Sequence, residues 1–196
     1  MNKLLRLAIL PALLAATCAT ANAGVLTYQG VTFTTTFAGN VLTLEIDAAH
    51  PNGDWLDAKT MGAIGIKDIG TFSSVQLLQA PGAAAGWMFS TDELNTNGCE
   101  NGGQANKNVC YEGTHVNLMD DMVFKFAFTG GMQDFTSPHL KVNFFDADGK
   151  KAGTLLSMNV PPGDTPTPVS EPSTAGMMMG GLALAGLMAR RRRMDK

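Results

Sequence analysis

The chain predicts an all-β fold: a single antiparallel β-sandwich over residues 24–161, flanked by a signal peptide and a short C-terminal transmembrane helix. Three observations predict the sandwich. Short runs of apolar residues alternate with polar ones at period two, the spacing at which the side chains of an extended strand share a face. Clusters of Gly, Pro, Asn and Asp separate those runs. Between residues 24 and 161 no segment of ten or more residues carries an apolar stripe of helical period. Roughly 140 residues suffice for one domain with one core.

The elements follow in order. In residues 31–37, VTFTTTF, one face carries Val31, Phe33, Thr35 and Phe37 and the other carries three threonines. Ala38-Gly39-Asn40 supplies a turn, and residues 41–47 return with Leu42, Leu44 and Ile46 inward, which makes a hairpin. Similar runs occupy residues 63–69, 71–79, 87–89, 122–129, 140–145 and 154–160, for six to eight short strands in all. In residues 122–128 the aromatic face is Phe124, Phe126 and Phe128, opposite Lys125. Residues 140–145, the Asp146-Ala147-Asp148-Gly149 turn and residues 154–160 form a closing hairpin. Trp55 and Trp87 are expected in the core or at its edge, with exposed sugar-stacking as the alternative.

The two ends of the chain read differently. Lys3 and Arg6, the apolar run 7–16 and the small-x-small pattern Ala21-Asn22-Ala23 make residues 1–23 a secretory signal peptide, cut by signal peptidase after Ala23. Cys18 follows Ala15-Ala16-Thr17, which lacks the leucine and the small final residue that lipidation requires. Five of the nine prolines fall between residues 161 and 172, so residues 162–174 form an extended, semi-rigid linker that ends in a polar motif. Residues 175–189 are fifteen uncharged residues, about 22 Å long as a helix, against a hydrocarbon core of roughly 30 Å. Arg190, Arg191, Arg192 and Arg193 stop the run, and the tail 190–196 stays cytoplasmic by the positive-inside rule. Gly176 and Gly180 stand at a small-xxx-small spacing that lets another helix approach closely.

Composition excludes some classes. Between residues 24 and 169 there are seven lysines, no arginine and fifteen carboxylates, a net charge of −8. Such a surface is unsuited to nucleic acid, which needs positive charge to displace counterions, and to anionic lipid. Cys99 and Cys110 remain once the signal peptide is removed, an even pair in an exported domain and hence an expected disulfide. It would close a polar, Gly/Asn-rich loop that needs such a staple to hold any shape, worth about 3 kcal/mol on the chain-entropy model. That loop is the first choice for a contact surface, since loops on rigid scaffolds often carry binding function. Asp146 and Asp148 before Gly149 resemble the start of a calcium loop, without its third Asp/Asn or its distal glutamate. Asp47, Asp54 and Asp57 around His50 form a second acidic loop. His50, His115 and His139 show no zinc spacing. No serine stands in a nucleophile context, so no catalytic residue, metal ligand or cofactor is assigned.

The C-terminal pattern carries a resemblance. The polar motif Ser170-Glu171-Pro172-Ser173, the Gly-rich apolar run and the terminal arginines together resemble the PEP-CTERM sorting signal of Gram-negative bacteria, over about residues 168–193. The family's usual Pro-Glu-Pro stands here as Ser170-Glu171-Pro172. The resemblance implies recognition by an exosortase, a membrane-embedded cysteine transpeptidase, with cleavage near the motif. It also implies transient anchoring in the inner membrane and transfer to the cell surface or to exopolysaccharide in a biofilm matrix. The expectation is an exported, non-enzymatic surface or matrix protein. An extracellular carbohydrate- or calcium-binding module is the alternative, and a secreted hydrolase the third.

Overall fold

The computed structural model describes residues 23–162. The expected signal peptide up to Asn22, most of the linker, the sorting motif, the apolar segment and the arginine tail lie outside the described residues.

Twelve strands run along the described chain: β1 Ala23–Tyr28, β2 Val31–Ala38, β3 Val41–Asp47, β4 Thr60–Lys67, β5 Ser74–Gln79, β6 Met88–Ser90, β7 Leu94–Asn95, β8 Gly98–Cys99, β9 Val109–Asn117, β10 Met122–Thr129, β11 His139–Phe145 and β12 Leu156–Asn159. Short 3-10 helices occupy Gly53–Trp55 and Gly82–Gly86. Among the described residues no helix is long and apolar enough to cross a membrane. One five-stranded sheet has the order β1-β2-β3-β10-β5 and a second the order β12-β11-β4-β9-β6, with every pairing antiparallel. A third, two-stranded ladder joins β7 to β8.

Turn chemistry and alternation explain the first sheet. Tyr28 pairs with Val31 across a two-residue turn in which Gln29 (φ 47°) and Gly30 (φ 75°) both take positive φ, the turn that matches the twist of a hairpin. Thr36 then pairs with Thr43 and Phe33 with Ile46, the register that the alternating pattern demands. The inward residues Val31, Phe33, Leu42, Leu44, Ile46, Phe124, Phe126 and Phe128 are all buried.

Across from them the second sheet contributes Met61, Ile64, Ile66, Tyr111, Leu140, Val142 and Phe144, and the two inner faces share one core. Trp55 is wedged between the layers, edge-on to Phe33 (centroids 6.4 Å) and to Phe144 (4.6 Å), and its Nε1 donates to the Thr154 carbonyl at 2.9 Å. Trp87 stacks on Phe124 at 5.8 Å and donates to the Thr114 carbonyl at 2.8 Å. Both indoles are thus core residues with satisfied N–H groups, and neither is presented for stacking on a sugar.

The closing hairpin of β11 and β12 pairs His139 with Asn159 and Val142 with Leu156. Among the longer strands, β1, which opens at the expected signal-cleavage site, and β9 lie outside the alternating runs. β9, VCYEGTHVN, breaks period two because the ladder to β4 shifts register between Met61 and Ala63, opposite its exposed middle.

Candidate functional site

The outer face of the second sheet is where chemistry-bearing side chains gather. Its central strand β4 turns Ala63 and Gly65 outward, and that small-residue surface admits a second layer. A Cβ on Gly65 would lie 2.7 Å from the Leu94 Cβ, so glycine is what lets the β7–β8 hairpin settle on the sheet. Leu94, Cys99, Cys110 and Ala63 bury one another there, with Leu155 packed against them. The Cys99–Cys110 disulfide, Cα to Cα 5.7 Å, ties β8 to β9. The stapled loop is more than a surface excursion: its two ends form a satellite core, Asn108 is buried, and the Asn106 carbonyl accepts the Phe72 N–H at 3.0 Å.

An ion cluster pins the same hairpin from the other side. Glu93 Oε1 accepts from Lys67 Nζ of β4 at 2.7 Å and from Lys141 Nζ of β11 at 2.5 Å. Lys141 also donates to the Leu94 carbonyl at 3.1 Å. The hydrogen bonds from Lys141 and Lys67 hold the Glu93 carboxyl well below the usual carboxylate range, at about 2. Sequence reasoning passed over these three residues, because nothing local marks charges that meet only when β4 and β11 lie side by side.

Beside the hairpin runs an open groove of about 770 Å³. Gly62, Ala63 and Gly113 line it, with Glu112, His115 and Lys151 among its polar groups. The Glu112 carboxylate accepts the Cys99 N–H at 2.8 Å. His115 stacks on Phe145 with centroids 4.0 Å apart. That stack lies directly over Gly62, where a Cβ would stand 2.7 Å from His115 Cδ2 and 2.9 Å from Phe145 Cε2. Among the described residues Glu112 is the only carboxylate in the lining. The groove therefore offers hydrogen-bonding and stacking groups and lacks the facing pair of carboxylates used for glycoside hydrolysis.

Of the other sequence candidates, Asp146, Asp47 and His139 have side-chain partners, while His50, Asp54 and Asp57 are exposed. Asp146 Oδ1 accepts the N–H groups of Asp148 at 2.9 Å and Lys150 at 2.8 Å, so this carboxylate builds the β11–β12 turn itself. Asp148 is exposed. Asp47 comes beside Asp120 of the β9–β10 connection, and a hydrogen bond shared with Asp47 pushes the Asp120 carboxyl up from its ordinary value. Among the described residues no group of three or more His, Cys, Asp or Glu is placed to hold a metal ion. His139 is bonded to Asn159 at 2.7 Å and to Ser157 at 2.9 Å. Ala23 opens β1. Ala21, Ser170, Glu171, Pro172, Ser173 and the four arginines lie outside the described residues.

No curated protein matches the chain, and no solved structure matches it. The family model for the PEP-CTERM protein-sorting motif matches residues 168–193. Signals of this kind are recognised by an exosortase, which makes the chain an exported, cell-surface-directed protein. It is through this C-terminal segment that the chain is identified: it carries a PEP-CTERM protein-sorting motif.

Proposed function

We propose that the β-sandwich is a non-enzymatic passenger, anchored transiently in the inner membrane through residues 175–189 and then released or transferred to the cell surface or to exopolysaccharide. The observation that carries this reading is the sorting motif over residues 168–193. The employment of the domain's polar groups supports the non-enzymatic part. Glu93 is bound by two lysines, Asp146 by two backbone amides, and His139 by Ser157 and Asn159. Intact mass and C-terminal peptide mapping, in the native host and in a strain lacking exosortase, test the sorting. Loss of the residues after about 172 only where the enzyme is present is the expected result, and any added mass identifies the acceptor. A C-terminus at Lys196 in both strains would overturn the proposal.

The groove favours a second reading, a binding module for an extracellular carbohydrate. Its glycine floor, the His115–Phe145 stack, Asn143 and Lys151 suit a polyhydroxylated chain lying along an open surface. Glycan-array binding that is lost in Lys151→Ala and His115→Ala would support it, and binding unchanged in both variants would sink it.

A further inference from the structure

The two lateral sides of the sandwich are built differently. On one side β1 faces the end of β12, and the seam is closed: Leu156 and Val160 are buried, and Gly24 is packed against Val160 and Pro161. On the other side β5 and β6 are the terminal strands of their sheets. There Tyr111 spans the layers, its hydroxyl donating to the Val75 carbonyl at 3.5 Å and its ring lying 5.4 Å from Phe89. The seam beyond it stays open. Val75 and Leu77 point inward yet are only half-buried, Phe89 is 42% exposed, and Leu78 on the outer face is 54% exposed.

Charge separates this side from much of the remaining surface. The stretch from residue 69 to residue 91, which supplies β5, the Gly82–Gly86 helix and β6, contains no charged side chain. The domain over residues 24–161 has seven lysines and fourteen carboxylates, a net charge of −7, and its one other uncharged stretch of comparable length, residues 24–44, lies at the opposite, closed edge. Of the two uncharged edges only this one has an open seam, so here a second copy of an acidic domain meets neither like charge nor a closed surface. An exposed strand edge usually carries a lysine, a proline or an inward-pointing charge that blocks pairing, and Ser74–Gln79 has none of these. An unpaired edge offers alternating N–H and C=O groups that are self-complementary about a two-fold axis, where the same residues face one another.

We propose that the β5 edge and the open seam beside β6 form a self-association surface, and that its partner is a second copy of this chain. Two β5 strands pair antiparallel about a two-fold axis, so the two five-stranded sheets become one continuous sheet. Val75, Leu77 and Phe89 of each copy cover the other's seam. This surface lies apart from the groove and does not depend on whether the groove binds anything.

The test uses the full chain purified in detergent, with molar mass read by light scattering across a dilution series. The wild type is expected to dimerise, and Leu78→Lys to weaken dimerisation by about tenfold or more, with an unchanged thermal midpoint at dilutions where both are monomeric because the side chain points to solvent. Gln76→Cys should cross-link to its own copy through a bifunctional maleimide well above the wild-type background. Thr27→Cys, on the opposite edge of the same sheet, should not. A monomeric wild type at every concentration would overturn the proposal. So would a dimer unaffected by Leu78→Lys, the result expected if the apolar C-terminal segment alone drives association. Cross-linking through Thr27→Cys in place of Gln76→Cys would move the interface to β1 and overturn it equally.

Discussion

Replacing Glu93 by glutamine tests the ion cluster that pins the β7–β8 hairpin to the second sheet. The carboxyl is depressed from 4.5 to about 2 by its hydrogen bonds to Lys141 and Lys67. At about 1.36 kcal/mol per pKa unit, that corresponds to a ceiling of about 3 kcal/mol of stability at neutral pH. The Glu93 side chain is 28% exposed and Lys67 30%, so solvent screening reduces the expected value to about 1–2 kcal/mol. A carboxyl whose folded pKa lies below its unfolded one binds protons more readily in the unfolded chain. Its contribution is therefore complete above about 4.5 and drains away as the pH falls through about 2. Urea denaturation followed by the fluorescence of the buried Trp55 and Trp87 provides the assay. At neutral pH Glu93→Gln should be less stable than wild type by that amount, and the gap should narrow steadily between about pH 4.5 and pH 2. A gap that stays constant over that interval would refute the assignment, since a packing defect does not titrate.

Four further outcomes follow from the same structure. Replacing Cys99 and Cys110 together by serine should cost about 3 kcal/mol and speed amide exchange in residues 94–99, measured by denaturation and by hydrogen exchange. Asp146→Asn should leave the β11–β12 turn nearly intact, because the amide oxygen can still accept both N–H groups. Asp146→Ala should lose about 1–2 kcal/mol, and calorimetry separates the two variants. Gly62→Ala should push the His115 and Phe145 rings apart and cost about 1–3 kcal/mol, with a shifted His115 ring resonance as its signature. Phe126→Ala, at a fully buried position, should cost about 3–5 kcal/mol by calorimetry and serves as the scale for the surface variants.

Legibility in the sequence followed the range of the interaction. Phe124, Phe126 and Phe128 were readable as an inward face because alternation is a local property of an extended chain. The hairpins at Gly39 and at Asp146–Gly149 were readable because turn chemistry resides in neighbouring residues. β9 was not readable, because its pattern answers to a register shift against β4 and to the groove above it. The polar loop between the cysteines read as a contact surface, since its composition cannot reveal that Leu94 and Cys99 sit over Ala63 and Gly65.

The sequence by itself determined the mostly β, antiparallel character of the domain, the cysteine pair and the sorting segment. Each is written in periodicity, parity or contiguous composition, which need no fold to be read. Only the tertiary structure decided that Glu93 meets Lys67 and Lys141, 26 and 48 residues away along the chain. It alone placed both tryptophans in the core, set Asp47 beside Asp120, and left one lateral seam open while closing the other. Those outcomes depend on which strands become neighbours and in what register. That choice is made by burial of the whole apolar surface at once, and no single stretch of residues encodes it.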